Sequence, residues 1–146
     1  MKHMNRWIVF VLIVTGLQLS ACAPKATKVE SVPPSVLEPI EGSDIQRVIL
    51  TEKAVERLDI QTSAIRDEQV DGSTRKVVPY AAVIYDLAGG TWVYTNPAPL
   101  SFVREPITID FIEGDQVVLK DGPSSGTEVV TVGVAELYGA ETGVKK

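Results

Sequence analysis

Short apolar segments separated by turn-forming residues are the feature that most constrains the fold of this chain. After residue 70 a turn signal recurs about every 8–12 residues, which is too close for alternating helices and strands and is typical of antiparallel β-structure. The predicted strands are Thr74–Pro79, Ala82–Tyr85, Thr91–Thr95, Leu100–Arg104, Ile107–Ile112, Gln116–Lys120 and Glu128–Val132. The pattern predicts a mostly β fold, a small antiparallel β-barrel or β-roll whose closure would remove exposed strand edges.

The beginning of this domain carries a short helix between two strands. A strand-like run, Arg47–Leu50, precedes Thr51, which has the side chain of a helix N-cap. Leu50 and Val55 have the spacing of a hydrophobic staple around that cap. We therefore expect a helix over residues 52–58 and a strand over residues 60–65, with a final short helical turn over residues 135–138.

Residues 1–21 have the composition of a secretory signal. Lys2, His3 and Arg6 provide a positive start, and an apolar run from Trp7 to Val14 is followed by milder, smaller residues. The apolar core is shorter than the roughly 20 residues that a spanning helix needs. A cleaved signal peptide is therefore predicted, with an uncleaved short anchor as the alternative, and either one predicts export.

Cys22 is the only cysteine of the chain and directly follows this segment. A disulfide within the chain has no second cysteine, and the only histidine, His3, would leave with the signal. The tetrapeptide Leu19-Ser20-Ala21-Cys22 resembles the lipobox of bacterial lipoproteins. The resemblance implies a diacylglycerol group on the Cys22 sulfur, cleavage before Cys22 and acylation of the new amino group.

Three further segments follow from this assignment. Residues 22–43 are rich in Pro, Ser, Lys and Glu without a sustained period, so we expect a lipidated, flexible tether. Residues 44–140 would form the β-domain, and residues 141–146 a disordered tail. Lipid anchoring would hold the protein at the periplasmic face of the outer membrane in a Gram-negative cell, or on the outer face of the cell membrane in a Gram-positive one.

Charge and residue content disfavour several functional classes. The chain has a net charge of −5, and loss of residues 1–21 leaves 12 basic against 19 acidic side chains, a net charge of −7. Such a balance argues against a nucleic-acid partner. With no histidine and no cysteine beyond Cys22 in the mature part, a His/Cys zinc site is excluded and no cofactor is expected.

Two local patterns leave alternatives open. Asp110, Glu113 and Asp115 bracket a predicted turn and could form the carboxylate pair of an envelope hydrolase, although a solvated hairpin end is the favoured interpretation. Three aromatic residues, Tyr80, Trp92 and Tyr94, are candidates for a ligand or partner face, although strand aromatics more often form core or cross-strand pairs. We expect no enzyme, and keep a small-molecule-binding lipoprotein as the alternative function.

Two stretches together resemble a known family. Residues 47–65, RVILTEKAVERLDIQTSAI, are similar to the opening of the periplasmic adaptor (membrane fusion, HlyD-like) proteins of RND-type efflux pumps, and residues 78–139 resemble the membrane-proximal domain of the same proteins. Here a short link, residues 66–75, would join the two stretches, and the lipoyl and helical-hairpin domains have no counterpart. Asp59 stands where the family usually has glycine.

The resemblance implies a β-domain without catalytic residues that docks on another envelope protein. In the family this domain rests on the inner-membrane transporter, so the resemblance implies a non-enzymatic accessory module of an efflux-type transporter or another envelope complex. Its membrane contact would be the lipid on Cys22.

Overall fold

A computed structural model describes residues 32–143 of the protein. This part of the chain folds into eleven strands, two α-helices and one 3₁₀-helix at Tyr80–Ala82. The strands are β1 (Ser35–Pro39), β2 (Gln46–Leu50), β3 (Gln61–Ala64), β4 (Arg66–Val70), β5 (Ser73–Pro79), β6 (Ile84–Tyr85), β7 (Thr91–Ala98), β8 (Ser101–Pro106), β9 (Thr108–Glu113), β10 (Gln116–Asp121) and β11 (Glu128–Val132), and the helices are α1 (Glu52–Arg57) and α2 (Val134–Thr142). The predicted mostly β, antiparallel fold is confirmed.

The strands form two antiparallel sheets. The first sheet has seven strands in the order β1-β2-β8-β7-β11-β3, and β6 pairs with Thr91 and Trp92 at the start of β7. The second sheet has four strands in the order β4-β5-β10-β9. Consecutive hairpins account for most of the pairs, which is the arrangement that closely spaced turn signals predict.

The hydrophobic core lies on both faces of the first sheet. Side chains of the two sheets meet in one buried cluster, which includes Val93 and Val129 from the first sheet and Val78 and Val117 from the second. The opposite face of the first sheet is covered by α1 and α2. The layers are therefore helices, first sheet and second sheet, and the helical layer provides a second set of buried contacts.

The sheets do not close into a barrel, so the closed form of the predicted fold is wrong. The first sheet keeps the edge strands β1 and β3 and the two-residue β6, and the second sheet keeps β4 and β9. These edges are protected in other ways that disfavour pairing between molecules. β1 ends in Pro39, β4 begins with the exposed charges of Arg66 and Asp67, and β9 has register irregularities against β10.

The short helix α1 forms for the reasons that its sequence suggests. The hydroxyl of Thr51 accepts a hydrogen bond from the backbone N–H of Ala54 at 3.2 Å, which confirms the predicted N-cap. Leu50 is buried and Val55 packs against the same cluster, as the predicted staple requires. Helix α1 ends at Arg57, with Leu58 as its C-cap.

Asp59 follows this helix with φ 49°, in the left-handed region. This conformation is strained for a residue with a β-carbon, and glycine adopts it freely. Glycine would therefore suit this position better than a residue with a β-carbon. The chain keeps the turn with aspartate, one of the few other residues that tolerate it.

Three predicted boundaries differ from the structure. Ordered structure begins before residue 44, because β1 pairs with β2 from Ser35 to Pro39 within the predicted tether. The predicted link over residues 66–75 contains β4 and the turn into β5, with pairs from Arg66 to Val70. Helix α2 extends through Thr142, so residues 141–142 do not belong to a disordered tail.

Neither helix of the described residues is long and apolar enough to cross a bilayer.

Candidate functional site

The residues predicted to carry the lipid lie outside the described part of the chain. Cys22 and the lipobox residues Leu19, Ser20 and Ala21 belong to this group, as do the signal and the first part of the tether. Their assignment therefore stays a prediction from sequence.

Of the three aromatic candidates, the structure brings two together and places the third apart. Trp92 and Tyr94 lie two residues apart on β7, so they share the face that packs under the helices. Tyr80 lies in the 3₁₀-helix, beside Tyr85. Tyr85 pairs with Thr91, which lies on the face of β7 opposite to Trp92 and Tyr94. The three residues therefore do not form one continuous ligand face.

A buried polar network surrounds Tyr94. Its hydroxyl donates a hydrogen bond to Oε2 of Glu141 on α2, and Arg104 Nη2 donates to Oε1 of the same carboxylate at 3.2 Å. The backbone N–H of Gln46 approaches Oε1 at 3.4 Å. Tyr94 is fully buried and the Glu141 side chain is 3% exposed, so the carboxylate depends on these donors in place of water.

The same network holds the phenol in its protonated form. Burial, followed by the hydrogen bond to Glu141, raises the pKa of Tyr94 far above its ordinary value. Tyr94 therefore remains a hydrogen-bond donor throughout the physiological pH range. Because the Tyr94 hydroxyl is buried and donates to Glu141, it stabilises the packing of α2 on the sheet. Tyr94 has no free group with which to bind a ligand.

Arg104 connects the network to Trp92. Its guanidinium carbon lies 4.5 Å from the centre of the Trp92 ring and 5.5 Å from the centre of the Tyr138 ring, both within the range of cation–π attraction. Its Nε lies 3.2 Å from Glu141 Oε2, but the N–H is poorly aligned and finds no hydrogen-bond partner among the described residues. The Arg104 side chain therefore covers the Trp92 ring on β7, and the Glu141 carboxylate holds Arg104 in that position.

Asp86 binds the ring nitrogen of Trp92 and the backbone of the turn that precedes Trp92. Asp86 Oδ2 accepts a hydrogen bond from Trp92 Nε1 at 2.8 Å, and Oδ1 accepts from the backbone N–H groups of Ala88 and Gly90 at 2.9 and 2.7 Å. The hydrogen bonds from Trp92 and then from Gly90 lower the pKa of Asp86 below its ordinary value. A single side chain therefore determines the shape of the turn over residues 86–90.

Two exposed tyrosines and one exposed leucine lie at this end of the first sheet. Tyr80 and Tyr85 are 46% and 51% exposed, and Leu87 at the tip of the turn is fully exposed. Partial burial, followed by the neighbouring Tyr80, raises the pKa of Tyr85. This is an apolar surface on a turn that Asp86 holds in one conformation.

The acidic candidates for hydrolysis do not converge. Asp110 forms an ion pair with Arg75, while Glu113 and Asp115 are exposed around the β9–β10 turn. Within residues 32–143 no group of three or more His, Cys, Asp or Glu side chains is arranged to hold a metal ion. The side chains that the structure does bring together, Tyr94, Arg104 and Glu141, are occupied with one another.

Sequence reasoning missed the residues that organise this region. Glu141 was assigned to the tail because nothing in a short, weakly patterned C-terminal segment indicates burial. Arg104 appeared only as the end of a strand, although an arginine paired with a tyrosine across two strands is a recognisable cross-strand pattern. Asp86, four residues before Gly90, carries the sequence signal of a side chain that caps a turn.

No family model matches this chain, and no curated protein or solved structure matches it.

Proposed function

We propose that the protein is a lipid-anchored, non-enzymatic docking module of an efflux-type transporter or another complex of the cell envelope. In this proposal Cys22 carries the lipid, and the β-domain corresponds to the membrane-proximal domain of the RND periplasmic adaptor proteins. The module would contact an envelope partner without the lipoyl and hairpin domains of a full adaptor.

The observation that carries the proposal is the way the two resembling stretches associate. The first stretch, residues 47–65, supplies most of β2, all of α1 and all of β3. β2 pairs with β8, and β3 pairs with β11, and both partner strands belong to the second stretch, residues 78–139. In the adaptor family the membrane-proximal domain is likewise assembled from two separated parts of the chain, so this association supports the proposal.

The contacts of the polar side chains favour a docking role over chemistry. A hydrolase with two carboxylates needs both of them on opposite sides of a scissile bond. Asp110 is neutralised by Arg75, and Glu113 and Asp115 flank an exposed turn. Neither arrangement surrounds a position that a substrate bond could occupy.

The contacts of the aromatic residues disfavour the alternative of a ligand groove on β7. Tyr94 is fully buried, and Trp92 is contacted by Arg104 on its face and by Asp86 at its ring nitrogen. A small molecule could stack on the face of the Trp92 ring that Arg104 covers only after Arg104 had left Glu141. Because breaking a buried ion pair costs about 3–5 kcal/mol, such a displacement would consume much of a typical binding energy.

The anchor is tested by acyl labelling of the full chain in a bacterial host. A radioactive fatty acid should label the wild type, and the label should be lost in Cys22→Ser, which keeps a side chain of similar size. The wild type should also sediment with membranes, and Cys22→Ser should be soluble in the periplasm or medium. Equal labelling of both proteins would refute the lipid assignment.

The docking role is tested by crosslinking in membranes from the host that carries the native gene. A lysine-reactive reagent followed by affinity purification should recover a membrane transporter or another envelope protein with the wild type. The same partner should be depleted with Cys22→Ser, because the domain is then no longer held at the membrane. Recovery of no envelope protein with either chain would contradict the proposed function.

A further inference from the structure

The turn over residues 86–90 presents Leu87 in an unusual state for a large apolar side chain. Leu87 is fully exposed, whereas its neighbour Asp86 makes three hydrogen bonds that fix the turn. A backbone held in one conformation before binding loses less conformational freedom when a partner covers it. The geometry of the turn is therefore suited to inserting Leu87 into a complementary pocket.

The surroundings of Leu87 extend the apolar surface. Tyr80 and Tyr85 are half exposed and lie beside each other, and Tyr85 immediately precedes the turn. Across residues 77–104 the sequence contains only two charged side chains, Asp86 and Arg104, and both contact Trp92. Tyrosine and leucine together form the amphipathic surface that is enriched at protein interfaces.

The border of this surface is acidic. The backbone N–H of Tyr80 donates to the carbonyl of Asp115 at 2.8 Å, which places the β9–β10 turn beside Tyr80. Glu113 pairs with Gln116 at the base of that turn, and Gln116 pairs with Pro79. Glu113 and Asp115 are exposed and form no ion pair with another described residue. We call Tyr80, Tyr85, Leu87, Glu113 and Asp115 the Leu87 face.

The topology places the Leu87 face away from the start of the domain. Ser35 at the start of β1 pairs with Leu50, whose backbone N–H donates to the carbonyl of Leu100 beyond the end of β7. The turn with Leu87 precedes Thr91 at the other end of β7, about 26 Å away for a strand of this length. The chain that leads back to Cys22 therefore leaves the first sheet at the end opposite to Leu87.

We infer that the Leu87 face binds a protein partner that offers an apolar pocket bordered by Lys or Arg side chains. This inference rests on the proposed docking function and specifies its surface and the chemistry of its partner. Charge favours a protein over a bilayer, because the acidic border is repelled by lipid phosphates.

The test places a photocrosslinking phenylalanine at position 87 of the full chain in the native host, with the same group at position 36 as the matched control. Val36 is 50% exposed on β1, at the end of the sheet that is distant from Leu87. Position 87 should give a protein adduct that position 36 does not give. Mass spectrometry should locate the crosslink in an apolar segment of the partner that is flanked by Lys or Arg.

Two substitutions complete the test through the yield of partner in lysine-reactive crosslinking. Leu87→Ser should lower the yield about tenfold or more, because the apolar contact is lost, whereas Val36→Ser should leave it unchanged. Asp115→Arg, which reverses the charge without adding a reactive lysine, should lower the yield, and added salt should weaken capture by the wild type.

The outcomes separate the docking surface from the docking function. Undiminished capture of the envelope partner by Leu87→Ser would overturn the Leu87 face and leave the function standing. An adduct of position 87 with lipid alone, or with a second copy of this chain alone, would overturn the inferred partner. Capture of no envelope protein by the wild type would refute the proposed function itself.

Discussion

The hydroxyl of Tyr94 on β7 donates a hydrogen bond to the carboxylate of Glu141 on α2, across 47 positions of the chain. This contact fixes the C-terminal helix to the centre of the first sheet, and Arg104 strengthens it from β8. The buried carboxylate of Glu141 therefore holds α2, the last helix of the domain, to the first sheet.

Substitution of either partner should destabilise the domain by different amounts. Tyr94→Phe removes one donor from a buried carboxylate and should cost about 1–3 kcal/mol. Glu141→Gln leaves the largely buried Arg104 without its counter-charge and should cost about 3 kcal/mol or more. Urea denaturation of both variants and of the double variant measures the coupling. Strictly additive losses would contradict a shared network.

Truncation distinguishes the ordered helix from the predicted tail. A chain that ends at Ala140 lacks Glu141 and should lose stability by an amount similar to Glu141→Gln. A chain that ends at Gly143 keeps all of α2 and should unfold at nearly the wild-type urea concentration. If the two truncated chains were equally stable, Glu141 would not hold the helix to the sheet.

The sequence predicted the local structure well because local signals determined it. Thr51 caps α1 where its hydroxyl can reach the third backbone N–H, and the strand over Glu128–Val132 has the predicted bounds. Asp71-Gly72, a typical hairpin-turn sequence, joins β4 to β5 with positive φ at both residues. In each case residues within a few positions of one another decide the conformation.

The sequence could not predict features that depend on distant residues. β1 is a strand because β2 offers it an edge, although Pro33 and Pro34 precede it and Pro39 ends it. Glu141 is buried only because Tyr94 and Arg104 lie opposite α2 in the folded domain. Tyr80 is separated from Trp92 because it lies beside Tyr85, which pairs with Thr91, and the pleat of β7 places Thr91 and Trp92 on different faces.

Gly133 provides a test of the junction between α1 and α2. It lies at the N-cap of α2 with φ 87°, and a β-carbon there would come within 2.1 Å of Ile60 Cδ1. Gly133→Ala should destabilise the domain by about 1–3 kcal/mol through strain and crowding. Gly139→Ala is the matched control, because Gly139 is inside α2 with open space around it. That substitution should stabilise by about 0.5–1 kcal/mol.

Thermal unfolding of the two alanine variants measures this difference directly. Gly133→Ala should melt below the wild type and Gly139→Ala slightly above it. A Gly133→Ala protein that matched the wild type would mean that the junction relaxes without strain.

Acid should loosen the turn at residues 86–90 through Asp86. Its pKa is lowered in the folded protein, so the unfolded chain binds the proton more readily between the two pKa values. The stabilising contribution of Asp86 is therefore complete above the ordinary aspartate range and is lost as the pH falls through the lowered value. Fluorescence of Trp92 in a Trp7→Phe background should report this transition, because Asp86 binds the indole nitrogen.

Asp86→Asn supplies the control for this titration. The amide can still accept one hydrogen bond but has no proton to gain, so the acid transition of Trp92 fluorescence should disappear. Persistence of the same transition in Asp86→Asn would assign it to another carboxyl group.

Asp59→Gly should stabilise the domain, since the backbone at this position is left-handed with φ 49°. Glycine removes the steric cost of the β-carbon, and the hydrogen bond that is lost, from Gln61 Nε2 to Asp59 Oδ2 at 2.8 Å, is exposed and therefore weak. The added freedom of the unfolded chain offsets part of the gain, so the net stabilisation should be about 0.5–1 kcal/mol. Asp59→Ala keeps the β-carbon and should destabilise, so opposite shifts of the urea midpoint for the two variants identify backbone strain as the cause. A loss of stability in Asp59→Gly would instead mean that the side chain of Asp59 contributes more than its conformation costs.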